Sequence, residues 1–135
     1  MIKISEESFY KQGFMKTLGA KLLSIEKGIV KIECPWHQNL TQQHGYFHAG
    51  VLTSIVDVAC GYAAHSMMPE GSDVLSVEFK TNFLKVAKTD KIVAHGKVVK
   101  SGKTLTFCEG KVTDESENIL FATMQATMIC LKPNY

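Results

Sequence analysis

The spacing of apolar and polar positions changes period three times along the chain. Near the start, Phe9, Phe14 and Leu18 recur at helical spacing behind Ser5, a residue suited to an N-cap, with Gly19 as the stop. Two short runs, AKLLSI and IVKIEC, then flank Glu26-Lys27-Gly28, which predicts a hairpin with Gly28 at positive φ in its turn. Pro35 ends the second run because it has no N–H to donate to a ladder. Residues 36–47, rich in Gln, His and Asn, predict a loop. A long helix is expected from His48 to Met68, stopped by Pro69 and Gly71. Beyond it the period falls to two: Leu75, Val77, Phe79 and Phe83 alternate with Ser76, Glu78, Lys80 and Asn82. KIVAHGKVVK and KTLTFCEGKV make the next pair, joined at Ser101-Gly102, and NILFATMQATMICL follows the polar turn DESEN.

The order is therefore helix, two strands, long helix, four strands. The long helix is apolar almost all round and has to be wrapped. Six mostly antiparallel strands curled round it predict an α+β fold, a curved sheet gripping one central helix. At 135 residues the chain has room for one core, so residues 1–135 are expected to form a single domain.

One residue breaks the apolar run of the long helix. Asp57 lies at its centre with no Lys or Arg between Ala49 and Ala64. On a helical wheel Gly50, Ser54, Asp57, Gly61 and Ala64 share a narrow arc, while Val51, Leu52, Ile55, Val56, Val58 and Ala59 supply the grip on the sheet. Asp57 thus sits on a stripe of small residues that a ligand or a second backbone can approach. Two readings stand open. The carboxylate is a structural acceptor served by Thr53 or Ser54, or it is a working group on an open face. The helix starts in a Gly-containing loop, QQHGYFHAG, where free amides carry partial positive charge suited to an acyl oxygen.

Composition narrows the class. The chain is 45% hydrophobic and 21% charged, with 15 basic and 13 acidic residues scattered without runs, which argues against a nucleic-acid partner. The apolar run is too short and too charged at its centre for a membrane span. No signal pattern opens MIKISEESFY, and Cys34, Cys60, Cys108 and Cys130 form no CxxC pair, so a cytoplasmic protein with reduced thiols is expected. Cys60 has no His placed to activate it and reads as a small buried hydrophobe. His44 and His48 stand at HxxxH spacing without a Glu or Cys cluster, so no metal is expected. His37, His65 and His95 read as surface or loop residues. Lys100-Ser101-Gly102-Lys103 is a basic hairpin tip, either a solvated turn or a phosphate contact.

Three segments, QQHGYFHAGVLTSIVDVACGYAA, LSVEFKTNFLKVA and VVKSGKTL, resemble in order and spacing the hotdog-fold acyl-CoA thioesterases of the phenylacetate-pathway (PaaI) type, over about residues 15–130. That family carries a polar amide residue, a His-Gly-Gly at the helix start and an acidic residue nine positions after the His. The matching residues here are Gln42, His48-Ala49-Gly50 and Asp57. The resemblance implies a homo-oligomer, a dimer or a dimer of dimers (homotetramer), with sites between paired subunits. It implies an acyl-CoA substrate with an aromatic or short- to medium-chain acyl group, and no cofactor, since CoA enters as part of the substrate. Asp57 would be general base or nucleophile, facing Gln42 and His48 across the interface. The Ala49 amide, with that of Gly50, would polarise the thioester carbonyl, and Gln42 would hold water or carbonyl. Ser76 would lie beside the acid, and Lys100, Ser101, Gly102 and Lys103 would meet the CoA nucleotide. Ala49 replaces the first Gly of the pair and sets a methyl beside the carbonyl site, which motivates an alternative, a non-catalytic acyl-CoA-binding module. A purely structural oligomer is a third reading. The Asp/His loop pattern of the hydratase branch is absent.

Overall fold

The computed structural model describes residues 3–132. Two short helices, α1 (Lys3–Lys11) and α2 (Gly13–Leu18), precede the hairpin of β1 (Lys21–Glu26) and β2 (Ile29–Pro35). A 3₁₀ turn at Gln38–Leu40 leads to the long helix α3 (Ala49–His65). Four strands follow: β3 (Asp73–Phe83), β4 (Lys91–Ser101), β5 (Leu105–Asp114) and β6 (Leu120–Leu131). They form one sheet in the order β1-β2-β4-β5-β6-β3, with every neighbouring pair antiparallel. This is the expected α+β hotdog architecture, a six-stranded sheet with the long helix packed on it. Among the described residues no helix is long and apolar enough to cross a membrane.

The helix meets the sheet most closely over a glycine pair. Gly96 and Gly110 are opposite one another on β4 and β5. A Cβ at Gly96 would stand 2.6 Å from the Cys60 nitrogen, with the Ala59 carbonyl closer still, and one at Gly110 would stand 2.5 Å from Val56 Cγ2. Side chains there would lift α3 off the sheet and open the core around Ile55, Val56 and Ala59, all fully buried.

Six sequence expectations are corrected. The N-terminal helix breaks at Gln12, which has extended geometry. Ser5 is no N-cap: it is buried inside α1 and bonds His65 Nδ1 at 2.9 Å. His65 is therefore a latch rather than a surface residue, its Nε2–H donating to the Ser72 carbonyl at 2.9 Å. His95 is also buried, its Nε2 held 2.9 Å from Thr113 Oγ1. The long helix ends at His65, short of Pro69, where the Ser66 hydroxyl turns to the Ala63 carbonyl and accepts the Gly28 amide. Finally, the alternation along β3 is broken by a bulge between Ser76 and Glu78. Leu75 pairs with Ile129 on one face, whereas Ser76, Phe79 and Phe83 pair with Met128, Ala126 and Ala122 on the helix side. The bulge is what keeps Ser76 and the two phenylalanines on one face.

Candidate active site

The opening amides of α3 have different fates. Gly50 N–H donates to His48 Nδ1 at 2.8 Å, so the imidazole is the N-cap. Val51 N–H donates to the His48 carbonyl at 3.0 Å. Ala49 N–H has no partner among the described residues, and Ala49 is exposed. Of the two amides expected to polarise a carbonyl, Gly50 is thus already engaged and Ala49 is open. The cap also fixes the tautomer of the neutral imidazole: Nδ1 accepts, so the proton sits on Nε2.

Gln42 precedes this start in a tight turn. Its Oε1 accepts the amides of His44 (2.6 Å) and Tyr46 (3.3 Å), while its own N–H donates to the Tyr46 carbonyl at 2.9 Å. The side-chain oxygen is therefore committed to the loop. The amide nitrogen, unpartnered among the described residues, remains as a donor. His48 N–H donates to the Leu40 carbonyl at 2.9 Å and Thr41 bridges Phe47, so loop and helix start form one unit.

Asp57 lies two turns further on, half-buried. Thr53 and Ser54 do not serve it: their hydroxyls donate back to the carbonyls of Ala49 and Gly50 at 3.1 and 2.7 Å. Its partner is Ser76, whose hydroxyl reaches Asp57 Oδ1 at 2.7 Å, with Met128 Sδ 3.3 Å on its other side. Burial pushes the carboxyl above the ordinary carboxylate pKa, and the Ser76 bond offsets part of that rise. The small-residue stripe stays open from Gly50 through Gly61 and closes at Ala64, which is buried beside the Tyr62 and His65 contacts with α1.

Beside the helix start runs a groove of about 350 Å³ lined by Gln42, Ala49, Leu52 and Phe83 through Ala87. Phe83, Leu84 and Val86 are each more than half exposed. Leu84 and Val86 fall outside the periodic strand pattern. Apolar residues in a loop, bracketing Lys85, are the signal that marks them. Phe47 also lines this groove, whereas Tyr62 is buried with its hydroxyl bonded to Ser8 and Gln12. The Lys100–Lys103 tip is exposed. It lies past the other end of α3, since Val98 and Met67 both pack near Gly28, and one chain does not bring it together with Ala49. Burial raises the thiols of Cys34 and Cys108 to about 11 and about 12 and pushes Cys60 up as well, so none is a ready nucleophile.

Comparison with known proteins gives the family. Residues 44–120 match the family described as the thioesterase superfamily. A Saccharolobus solfataricus protein named as an esterase is 32% identical over 114 residues, 84% of this chain and 81% of its own. The 1,4-dihydroxy-2-naphthoyl-CoA hydrolase of Listeria monocytogenes is 27% identical over 80% of this chain and 88% of its own. The crystal structure of a thioesterase family protein from Silicibacter pomeroyi superposes with a TM-score of 0.91 at 42% identity, covering 95% of this chain and 96% of that one. The chain belongs to the thioesterase superfamily.

Proposed function

We propose that the protein hydrolyses an acyl-CoA thioester, as a member of the phenylacetate-pathway type, with Asp57 as general base or nucleophile. The observation that carries this reading is the half-buried Asp57 carboxylate, held by Ser76 on an open face of α3 and made more basic by burial. As base, it takes a proton from water as the water attacks the carbonyl carbon. As nucleophile, it attacks directly and the resulting anhydride is hydrolysed. In both cases the carbonyl oxygen gains charge, and the open Ala49 amide is the donor suited to it. Collapse of the tetrahedral intermediate expels CoA as the thiolate, on the nucleophilic route before water cleaves the anhydride. Gln42 Nε2 and His48 Nε2–H are the further donors at this end.

Ala49 and Asp57 of one chain cannot act on one thioester. Eight residues separate them, a rise of about 12 Å along the helix, whereas reacting atoms have to approach within roughly 3.5 Å. A second copy removes the difficulty. β3 is an edge strand, and Leu75, Val77, Phe79 and Phe83 along it are exposed. An edge of this length and apolarity is suited to pairing with another copy. The Asp57 of each chain then faces the helix start of the other, and the basic tip of one chain is carried toward that start.

The test is a thiol-release assay with aromatic and short- to medium-chain acyl-CoAs, comparing wild type with Asp57→Asn. Turnover by wild type and its loss in the variant is the expected result. Equal turnover by both removes Asp57 from the chemistry. Tight CoA binding without hydrolysis of any thioester establishes the binding-module alternative.

A further inference from the structure

A second cavity, of about 490 Å³, shares Ala87 with the groove beside the helix start and is lined by Trp36, Tyr46, Ala87, Lys88, Thr89 and Asp90. Its construction differs from that of a solvated turn. Trp36 is 43% exposed, an unusual placement for so large an apolar surface. The indole is nevertheless held in place. Its Nε1–H donates to the Gly45 carbonyl at 3.1 Å, and its backbone N–H donates to the Asp90 carbonyl at 2.7 Å. On the other wall, the Lys88 ammonium sits 5.4 Å from the centre of the Tyr46 ring. Lys88 is the one cation and Asp90 the one carboxylate among the lining residues.

Fixed aromatic surface beside a movable cation is what a flat ring bearing negative charge requires. The ring stacks or packs edge-on against the aromatic walls, and the ammonium turns from Tyr46 to the anion. We propose that this cavity is a ligand subsite for a flat aromatic ring carrying an anionic group. Two sources share that chemistry: the adenine-nucleotide end of CoA, and an aromatic carboxylate of the kind a thioester would release. Assigning either source to turnover rests on the thioester reading. The ring-and-anion chemistry of the cavity does not.

Position gives the subsite a route to the reaction. Tyr46 is tied to Gln42 by two contacts, one backbone to backbone and one backbone to Oε1, and Trp36 holds Gly45 in the same turn. A ring seated against Trp36 and Tyr46 therefore presses on the turn that aims the Gln42 amide.

Trp36 is the only tryptophan of the chain, so its fluorescence reports this cavity alone. The full-length protein is titrated with adenosine 3′,5′-bisphosphate and CoA in one arm, and with benzoate and 2-naphthoate in the other. Saturable quenching is expected in one arm, and that arm names the source. Lys88→Ala should raise the half-saturation concentration at least fivefold, as loss of a charge-assisted contact does, and raise KM in the thiol-release assay. Emission unchanged by millimolar ligand of both classes overturns the proposal, as does equal half-saturation in wild type and Lys88→Ala. Quenching that follows the expected pattern in a protein that hydrolyses no acyl-CoA upholds the subsite and removes the hydrolytic reading instead.

Discussion

The Ser76 hydroxyl donates to Asp57 Oδ1 at 2.7 Å across 19 positions of sequence, joining the edge strand β3 to the middle of α3. It works against burial, which raises the Asp57 pKa. Ser76→Ala should therefore let that pKa rise further. The acid limb of the kcat/KM profile then moves to higher pH, and the loss of activity is greater at pH 5.5 than at pH 8. A loss equal at all pH values would show that the hydroxyl acts on something other than the ionisation of Asp57.

Asp57→Asn should lower kcat about 10²- to 10⁴-fold, the usual contribution of a positioned base, and should also stabilise the fold at neutral pH. The sign follows from linkage. A carboxyl whose folded pKa lies above its unfolded value binds more protons when folded, so stability falls as pH rises through that window. Removing the charge recovers that loss. Denaturant midpoints of variant and wild type should differ at pH 7 and converge below pH 3.8, the ordinary value for the group. A variant that is less stable at pH 7 would mark Asp57 as a structural acceptor.

His48 caps α3 by accepting the Gly50 amide at 2.8 Å. His48→Ala should cost about 1 kcal/mol of stability. His48→Asn should restore it, because Asn caps equally well, while still lacking the Nε2–H donor. Activity that returns with stability in His48→Asn assigns the residue to positioning. Activity that stays low assigns it to contact with substrate.

Much of this was legible from pattern alone. The turn at Gly28 (φ 81°), the strand end at Pro35 and the stop at Gly19 (φ 74°) follow from chemistry local to a few residues. The site was legible only in part, because its decisive features are non-local. The stripe around Asp57 is a helical-wheel property, but whether Ser54 or Ser76 serves the carboxylate depends on which strand lies beside α3. The capture of the Gly50 amide by His48 depends on the rotamer of one side chain. The burial of His95 and the latch between Ser5 and His65 come from packing of distant segments, which no periodicity encodes.

Gly96 and Gly110 were unremarked in sequence for the same reason, yet they set the distance between α3 and the sheet. Gly96→Ala should destabilise by about 3 kcal/mol, the upper range for overpacking, because the obstacle is the backbone of Ala59 and Cys60 and has no rotamer to yield. Gly110→Ala should be milder, its nearest obstacles being the Val56 and Cys60 side chains. Equilibrium denaturation of the two variants ranks them. The reverse order would mean that the helix shifts more easily than Val56 does.

His95 should make the fold sensitive to mild acid. Thr113 Oγ1 donates to the Asp114 carbonyl, so it accepts from His95 Nε2–H and leaves Nδ1 as the unprotonated nitrogen, 3.8 Å from Glu117. Burial holds the pKa below the ordinary 6.5; Glu117 opposes that, while Lys111 and Lys31 add to it. A lowered histidine contributes stability above its unfolded value, and that contribution is lost as pH falls through the folded one. Wild type should lose stability relative to His95→Gln below pH 6.5, as read from denaturant midpoints. Parallel profiles would place the acid sensitivity elsewhere.

If Asp57 works with the helix start of another copy, two inactive variants should repair one another. In a dimer built from one Asp57→Asn chain and one Gln42→Ala chain, one site carries both lesions and the other carries neither. Random exchange at equal concentrations makes half the dimers mixed, each with one intact site, so the mixture should regain about a quarter of wild-type activity. The variants are mixed, dissociated in mild denaturant, refolded together and assayed for thiol release. A site contained within one chain regains nothing, because each chain keeps its own lesion. Recovery without prior dissociation would point to subunits that exchange freely under native conditions, and light scattering over the same concentrations reads that directly.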